Sequence, residues 1–168
     1  MKTVFLVAMA TARRVSEIQA LSMDLGYLKF SQSDGSVSLR TQPGLLAKNQ
    51  IPSVCPEAIL VPNLARAVKR NNFNRLLCPV RALKHYLKVT EPIWKNRKRL
   101  FLPLKGNHDI TTGSMSGWIA YTIRLTHKKL SKSKVALLKI KAHDLRALSA
   151  SWSYFNKTRV EDVIKAAV

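Results

Sequence analysis

The amino-acid sequence predicts an α+β fold, mainly helical, with a small antiparallel β-sheet of about three strands. Three observations carry this. Apolar residues recur at helical spacing in the opening segment, after Pro79, after Met115 and in KAHDLRALSASWSYFN, residues 141 to 156. Two extended runs, YLKFSQ and SVSLRTQ, flank the turn-forming pair Asp34-Gly35. The 168 residues suffice for one domain with a real core, and no internal repeat, low-complexity tract or linker divides them.

Taken in order, residues 3 to about 21 read as one helix whose stripe is Phe5, Ala8, Ala12, Val15 and Ile18. Arg14 flanks that stripe and Arg13 points farther from it. Asp24 and Gly26 punctuate the helix end. The hairpin follows, Pro43-Gly44 breaks the run, and EAILVP supplies a third strand, with Lys48 near the second turn. Asn63 to Asn74 is polar and basic and reads as a short helix and loop.

Cys78-Pro79 then opens the helix PVRALKHYLKVT, where proline at the first position gives up only an N–H that has no helical partner. Val80, Leu83 and Leu87 form its apolar face. WKNRKRLFLPL is a cluster of charge followed by a short extended apolar segment ended by Pro103. The loop KGNHDITTGS offers Thr and Ser to cap the next helix, about Met115 to Leu130, which carries Trp118, Ile119, Thr122, Ile123 and Leu125. In KAHDLRALSASWSYFN, Leu145, Leu148, Trp152 and Phe155 form one buried stripe, and His143 and Arg146 project from nearly the opposite side. A short helix, Val160 to Val168, follows.

Charge narrows the choice of partner. Twenty-nine Lys and Arg against nine Asp and Glu give a net charge of +20, spread through the chain rather than gathered in a tail. A polyanion is favoured, nucleic acid before an anionic membrane surface. Cys55 and Cys78 stand in no CxxC and near no His pair at zinc spacing, so reduced thiols of the cytosol or nucleus are the simplest account. MKTVFLVAMATA has the outline of a signal peptide, but the run is short and Arg13, Arg14 and Glu17 follow at once. No stretch is long and apolar enough to span a bilayer.

The residues with chemistry to offer are Arg14, Lys48, His143 and Arg146. Guanidinium groups bond bidentately to phosphate oxygens and stabilise the charge of a five-coordinate transition state. A lysine or histidine can protonate a leaving alkoxide. No Walker-type glycine loop and no acidic cluster for Mg²⁺ appears, which disfavours nucleotide hydrolysis and two-metal nucleases. On one face of an amphipathic helix, His143 and Arg146 alone would be ordinary surface residues.

TARRVSEIQAL, residues 11 to 21, resembles the first box of the tyrosine recombinase/phage integrase family, in which a small-residue turn leads to Arg-x-Ser-Glu-Leu. AHDLRALSASW resembles the second box, His-x-x-Arg followed by a small-residue helix. The boxes stand in the family's order with a hairpin lysine between them, and the resemblance covers nearly the whole chain. PGLLAKNQ and LCPVRALKHYL are most similar to recombinases of eukaryotic mobile elements such as DIRS-like retroelements.

The resemblance implies an integrase-like catalytic fold and residue roles. Arg14 and Arg146 would clamp the scissile phosphate, His143 would assist proton transfer, and Lys48 would be the general acid towards the 5′-oxygen. Lys29 and Arg40, also near strands, compete with Lys48 for that role, and Glu17 would support Arg14 by a one-turn ion pair. A family tyrosine forms a 3′-phosphotyrosyl link, which keeps the bond energy so that strands rejoin without cofactor, ATP or metal. The implied partner is double-stranded DNA, with homo-oligomeric assembly on it in full-length members and neither a membrane nor a small-molecule substrate. A nuclear location follows for a eukaryotic host, the nucleoid otherwise.

The chain also departs from the family. Counted forward from Arg146, the family's next His or Trp and its nucleophilic tyrosine fall beyond Val168, and its N-terminal clamp domain falls before Met1. The expectation is therefore an incomplete catalytic domain over 1–168. Tyr154 lies about 12 Å along the helix axis from Arg146, a poor position for attack on the same phosphate. Tyr27, Tyr86 and Tyr121 read as packing residues. Two functions compete: a recombinase core, and a non-catalytic module that grips DNA without cutting it. A basic protein of ribosome or chromatin would explain the charge but not the ordered boxes.

Overall fold

The segment KTVFLVAMAT has almost no polar face, and a helix of that kind has to be buried. In the computed structural model, which describes residues 1–44, 57–64, 75–93, 97–103, 108–127, 139–155 and 161, it forms helix α1 (Lys2–Thr11). Val4, Leu6, Val7, Ala8 and Thr11 are buried. Around it lie β3 (Ile59–Val61), α3 (Pro79–Thr90), α4 (Thr112–Thr126) and α5 (Ala142–Phe155), each in contact with α1. The element the sequence opens on is the centre of the core.

That helix does not run on to residue 21. It stops at Ala12, whose backbone turns left-handed (φ 51°), and a separate helix α2 (Val15–Gln19) begins after Arg14. The apolar period continues through Val15 and Ile18, so periodicity alone joins the two. Position 13 onward is what separates them: another turn of a helix buried on nearly all sides would drive Arg13 and Arg14 into hydrocarbon, and desolvating an unpaired charge is prohibitive. Ala12 still donates its N–H to the Ala8 carbonyl at 3.1 Å, closing α1 with a left-handed cap.

The sheet matches the sequence pattern. β1 (Leu28–Phe30) pairs antiparallel with β2 (Val37–Leu39), and β2 with β3, in the order β1-β2-β3. Val37, Leu39, Ile59 and Val61 point into the core while Ser38 and Leu60 alternate outward. Gly35 takes the positive φ (71°) that the turn requires, and the Asp34 carboxylate accepts from the Ser36 N–H at 3.0 Å and hydroxyl at 2.8 Å. The apolar segment before Pro103, expected to be extended, makes one β-bridge at Arg99 with Ser22 and then bends at Leu100 and Phe101; Leu100, Phe101 and Leu102 are buried, and the Leu100 N–H donates to the Leu21 carbonyl at 2.8 Å.

Among the helices, α3 starts with Pro79 and buries Val80 and Leu83. α4 begins three residues before Met115, because Thr111 accepts from the Ser114 N–H at 3.1 Å and so caps the helix at that point. Of its apolar residues, Ile119 is buried, Trp118 and Ile123 are partly so, and Leu125 is exposed. Tyr86 packs on Phe101, with ring centroids 5.5 Å apart, and its hydroxyl oxygen accepts from the Leu102 N–H at 2.7 Å; burial is the main cause that raises its pKa. Tyr121, by contrast, is exposed rather than packed.

The stripe expected on α5 is displaced. Leu145 is buried, but Leu148, Trp152 and Phe155 are 52%, 64% and 79% exposed. The face against α1 and α4 is instead Ala142, Leu145 and Ser149, roughly a quarter-turn round the helix. The physical reason is a hydrogen bond: the Ser149 hydroxyl donates to the Met9 carbonyl at 2.6 Å. That carbonyl belongs to the last turn of α1, where the break at Ala12 removes its helical donor. Satisfying it sets which side of α5 turns inward.

Lys48, Cys55, most of the expected helix and loop over 63–74 and almost all of the helix over 160–168 lie outside the described residues. Among the described residues, no helix is long and apolar enough to cross a membrane.

Candidate functional site

The break at Ala12 is what turns the two arginines towards one another's partners. Arg14 is the N-cap of α2 in extended backbone (φ −65°, ψ 149°), and its carbonyl accepts from the Glu17 and Ile18 N–H groups at 3.0 and 3.1 Å. Glu17 reaches back: its carboxylate accepts from the Arg14 N–H at 3.3 Å, the acidic half of a capping box. The same carboxylate lies 3.9 Å from an Nη1 of Arg13 and 3.9 Å from an Nη1 of Arg14. Glu17 is only 5% exposed, so a buried acid sits beneath two half-buried guanidiniums. The one-turn ion pair expected for Glu17 is present, and it is shared.

α5 supplies the opposite wall. The Lys141 N–H donates to the Asp144 carboxylate at 2.8 Å, which closes the start of this helix and places an acid at its positive end. His143 projects exposed from the first turn and Arg146 half-buried from the second. Arg146 has its pKa lowered, first by burial and next by the positive charge of Arg14; Glu17 acts the other way, and Arg13 adds a smaller repulsion. The guanidiniums from the two ends of the chain thus share one electrostatic neighbourhood.

Between these walls runs a cleft of about 630 Å³. Arg13, Arg14, Val15 and Ser16 line it from the α1–α2 turn, Ile140 to His143 and Arg146 from α5, and Ser116, Gly117, Ala120 and Arg124 from α4. Five cations and an imidazole therefore face it, and no carboxylate is among its lining residues. Arg14 Nη1 is buried and has no hydrogen-bond partner among the described residues. A buried guanidinium N–H without an acceptor is costly, and a phosphate oxygen would satisfy it.

Three of the four sequence candidates, Arg14, His143 and Arg146, are brought together; Lys48 lies outside the described residues. Lys29, on β1, and Arg40, just after β2, do not line the cleft. Sequence reasoning missed three cations. On one continuous helix Arg13 points farther than Arg14 from the apolar stripe; the break at Ala12 brings both to the cleft. Lys141 carries a local signal, since it immediately precedes the helix that bears His143. Arg124 carries none, because only the packing of α4 against α2 and α5 brings it there.

Among the described residues no three His, Cys, Asp or Glu side chains cluster as a metal site would need. A scan against protein-family models and a search of curated proteins each return no match.

Proposed function

We propose that this cleft grips the sugar-phosphate backbone of double-stranded DNA, and that the chain is a catalytic core of the tyrosine recombinase type. Its reaction would be phosphoryl transfer through a 3′-phosphotyrosyl intermediate, serving site-specific recombination or integration. One observation carries the reading: Arg14, His143 and Arg146, drawn from the two boxes, line a single cleft free of lining carboxylates. In this reading Arg14 and Arg146 hold the non-bridging oxygens of one phosphate. As charge builds on those oxygens, the two guanidiniums are already in place and need no reorganisation. His143, exposed at the rim, moves a proton, and Lys48 serves as the acid for the 5′-oxygen. In a eukaryotic host the substrate puts the protein in the nucleus.

A second reading, a module that binds DNA without cutting it, draws on one specific feature. Tyr154 lies two turns beyond Arg146 on α5, about 12 Å along the axis, so it does not serve the phosphate the arginines would hold.

Two measurements test these readings. If five cations each neutralise a phosphate, affinity for duplex DNA falls about 500-fold between roughly 50 and roughly 200 mM salt. A flat salt response removes the nucleic-acid reading altogether. Incubation with nicked suicide duplexes then separates enzyme from module: a covalent protein–DNA adduct supports the recombinase. Absence of adduct leaves the non-cutting module in play, and unchanged DNA binding by Arg146→Ala removes the phosphate-clamp role given to Arg146 in either reading.

A further inference from the structure

Arg124 and Lys141 face the cleft but have no role in holding the phosphate assigned to Arg14 and Arg146. Among the described residues, no hydrogen bond or ion pair engages either side chain. Both are exposed. Arg124 stands near the C-terminal end of α4, and Lys141 immediately precedes α5, five residues before Arg146. At 1.5 Å per residue that is about 7.5 Å along the α5 axis, and Arg124 lies about 10 Å along α4 from Gly117. One strand of B-form duplex advances about 3.4 Å along the duplex axis per phosphate, and Lys141 and Arg124 are each set back along their helices by more than that rise.

Gly117 adds a second observation. Its backbone is helical, and a Cβ built on it meets no atom of the described residues within 4 Å beyond its own stretch of helix. Neither backbone conformation nor packing demands glycine there, although glycine is a poor helix former. What the missing side chain leaves is open space on the wall of a cleft that Arg124 and Lys141 also line.

We infer that Arg124 and Lys141 form a second anion-binding subsite, and that the cleft takes a run of successive phosphates of one nucleic-acid strand laid over Gly117. This rests on the DNA reading above, and it deepens it: the ligand is a polyphosphodiester, positioned by contacts beyond the phosphate held by Arg14 and Arg146. Such flanking contacts fix register on the backbone without reading sequence.

The test is duplex-DNA affinity as a function of salt, measured by fluorescence anisotropy on the full chain. The variants are Arg124→Ala, Lys141→Ala, Gly117→Leu and, as a control that does not line the cleft, Arg81→Ala on α3. Lys141→Ala keeps the backbone N–H that caps α5. Each of the first two should reduce the slope of log K against log salt by about 0.9, and Arg81→Ala should leave it unchanged. Gly117→Leu should melt no lower than wild type yet lose at least about tenfold in affinity. Wild-type slopes in Arg124→Ala and Lys141→Ala overturn the subsite. So does an equal fall in Arg81→Ala, which would indicate a diffuse field, or wild-type affinity in a folded Gly117→Leu. If the wild-type chain itself shows no salt-dependent binding, the DNA reading fails first, and the two failures are distinguishable.

Discussion

The two arginines at the centre of the cleft are held by opposite means. Arg14 is positioned locally: the left-handed residue Ala12, its own place as N-cap of α2, and the carboxylate of Glu17 three residues on. Arg146 is positioned from a distance: Leu145 enters the core beside it and Ser149, one turn later, bonds the far end of α1. The Ser149–Met9 bond spans 140 residues of sequence, whereas the contacts around Arg14 span three or four. Damage to the first support stays within a turn, while damage to the second lets a whole helix shift.

That contrast can be broken in graded steps. Leu145→Ala removes a side chain only 2% exposed and should cost about 2–5 kcal/mol in denaturant unfolding. Because Leu145 holds the wall that carries Arg146, DNA affinity should fall with it; a stable variant with intact binding would show that α5 is docked by something else. Glu17→Gln keeps an oxygen for the Arg14 N–H but removes the charge beneath two guanidiniums. It should cost about 2 kcal/mol, and added phosphate should raise its melting temperature more than it raises that of wild type, since an anion binding only the folded state stabilises it. Equal responses would mean that Glu17 acts through its hydrogen bond alone.

Ser149→Ala should cost about 1–2 kcal/mol, because it takes from the partly buried Met9 carbonyl its side-chain donor. Its sharper readout is binding: DNA affinity should fall although no cleft residue is altered. Unchanged affinity would make the bond a matter of stability only.

The smallest effect lies far from both supports, in the hairpin. Hydrogen bonds from Ser31 first, then from the Ser36 N–H and hydroxyl, lower the Asp34 pKa to about 2. A depressed carboxylate contributes stability that is present above its ordinary value of 3.8 and is lost as pH falls through about 2. The group is fully exposed, so the effect should be just detectable as a difference in acid unfolding between wild type and Asp34→Asn. A difference appearing near neutral pH would contradict this assignment.

Much of this was legible in the chain. Asp34-Gly35 marks a turn by its own chemistry, Pro79 marks a helix start by the N–H it lacks, alternation marks β2, and a short apolar run marks β3. Arg14, His143 and Arg146 were legible as residues that suit a phosphate. Their meeting in one cleft is implied only by the resemblance of the two boxes, since no spacing between residues 14 and 143 encodes a distance. Leu148, Trp152 and Phe155 show the same limit, because their spacing is as helical as that of the buried face and only a partner distinguishes them.

By itself, then, the sequence determined the kinds of element, most of their starts, the strongly basic character and the residue types available for phosphate. Those follow from rules acting within a few residues: dihedral limits, capping, and the period of a helix or a strand. Tertiary structure alone decided where α1 ends, which face of α5 is buried, and that Arg124 joins the cleft. The reason is that each of these depends on what lies opposite: hydrocarbon around α1 that cannot accept a charge, and a Met9 carbonyl that needs a donor.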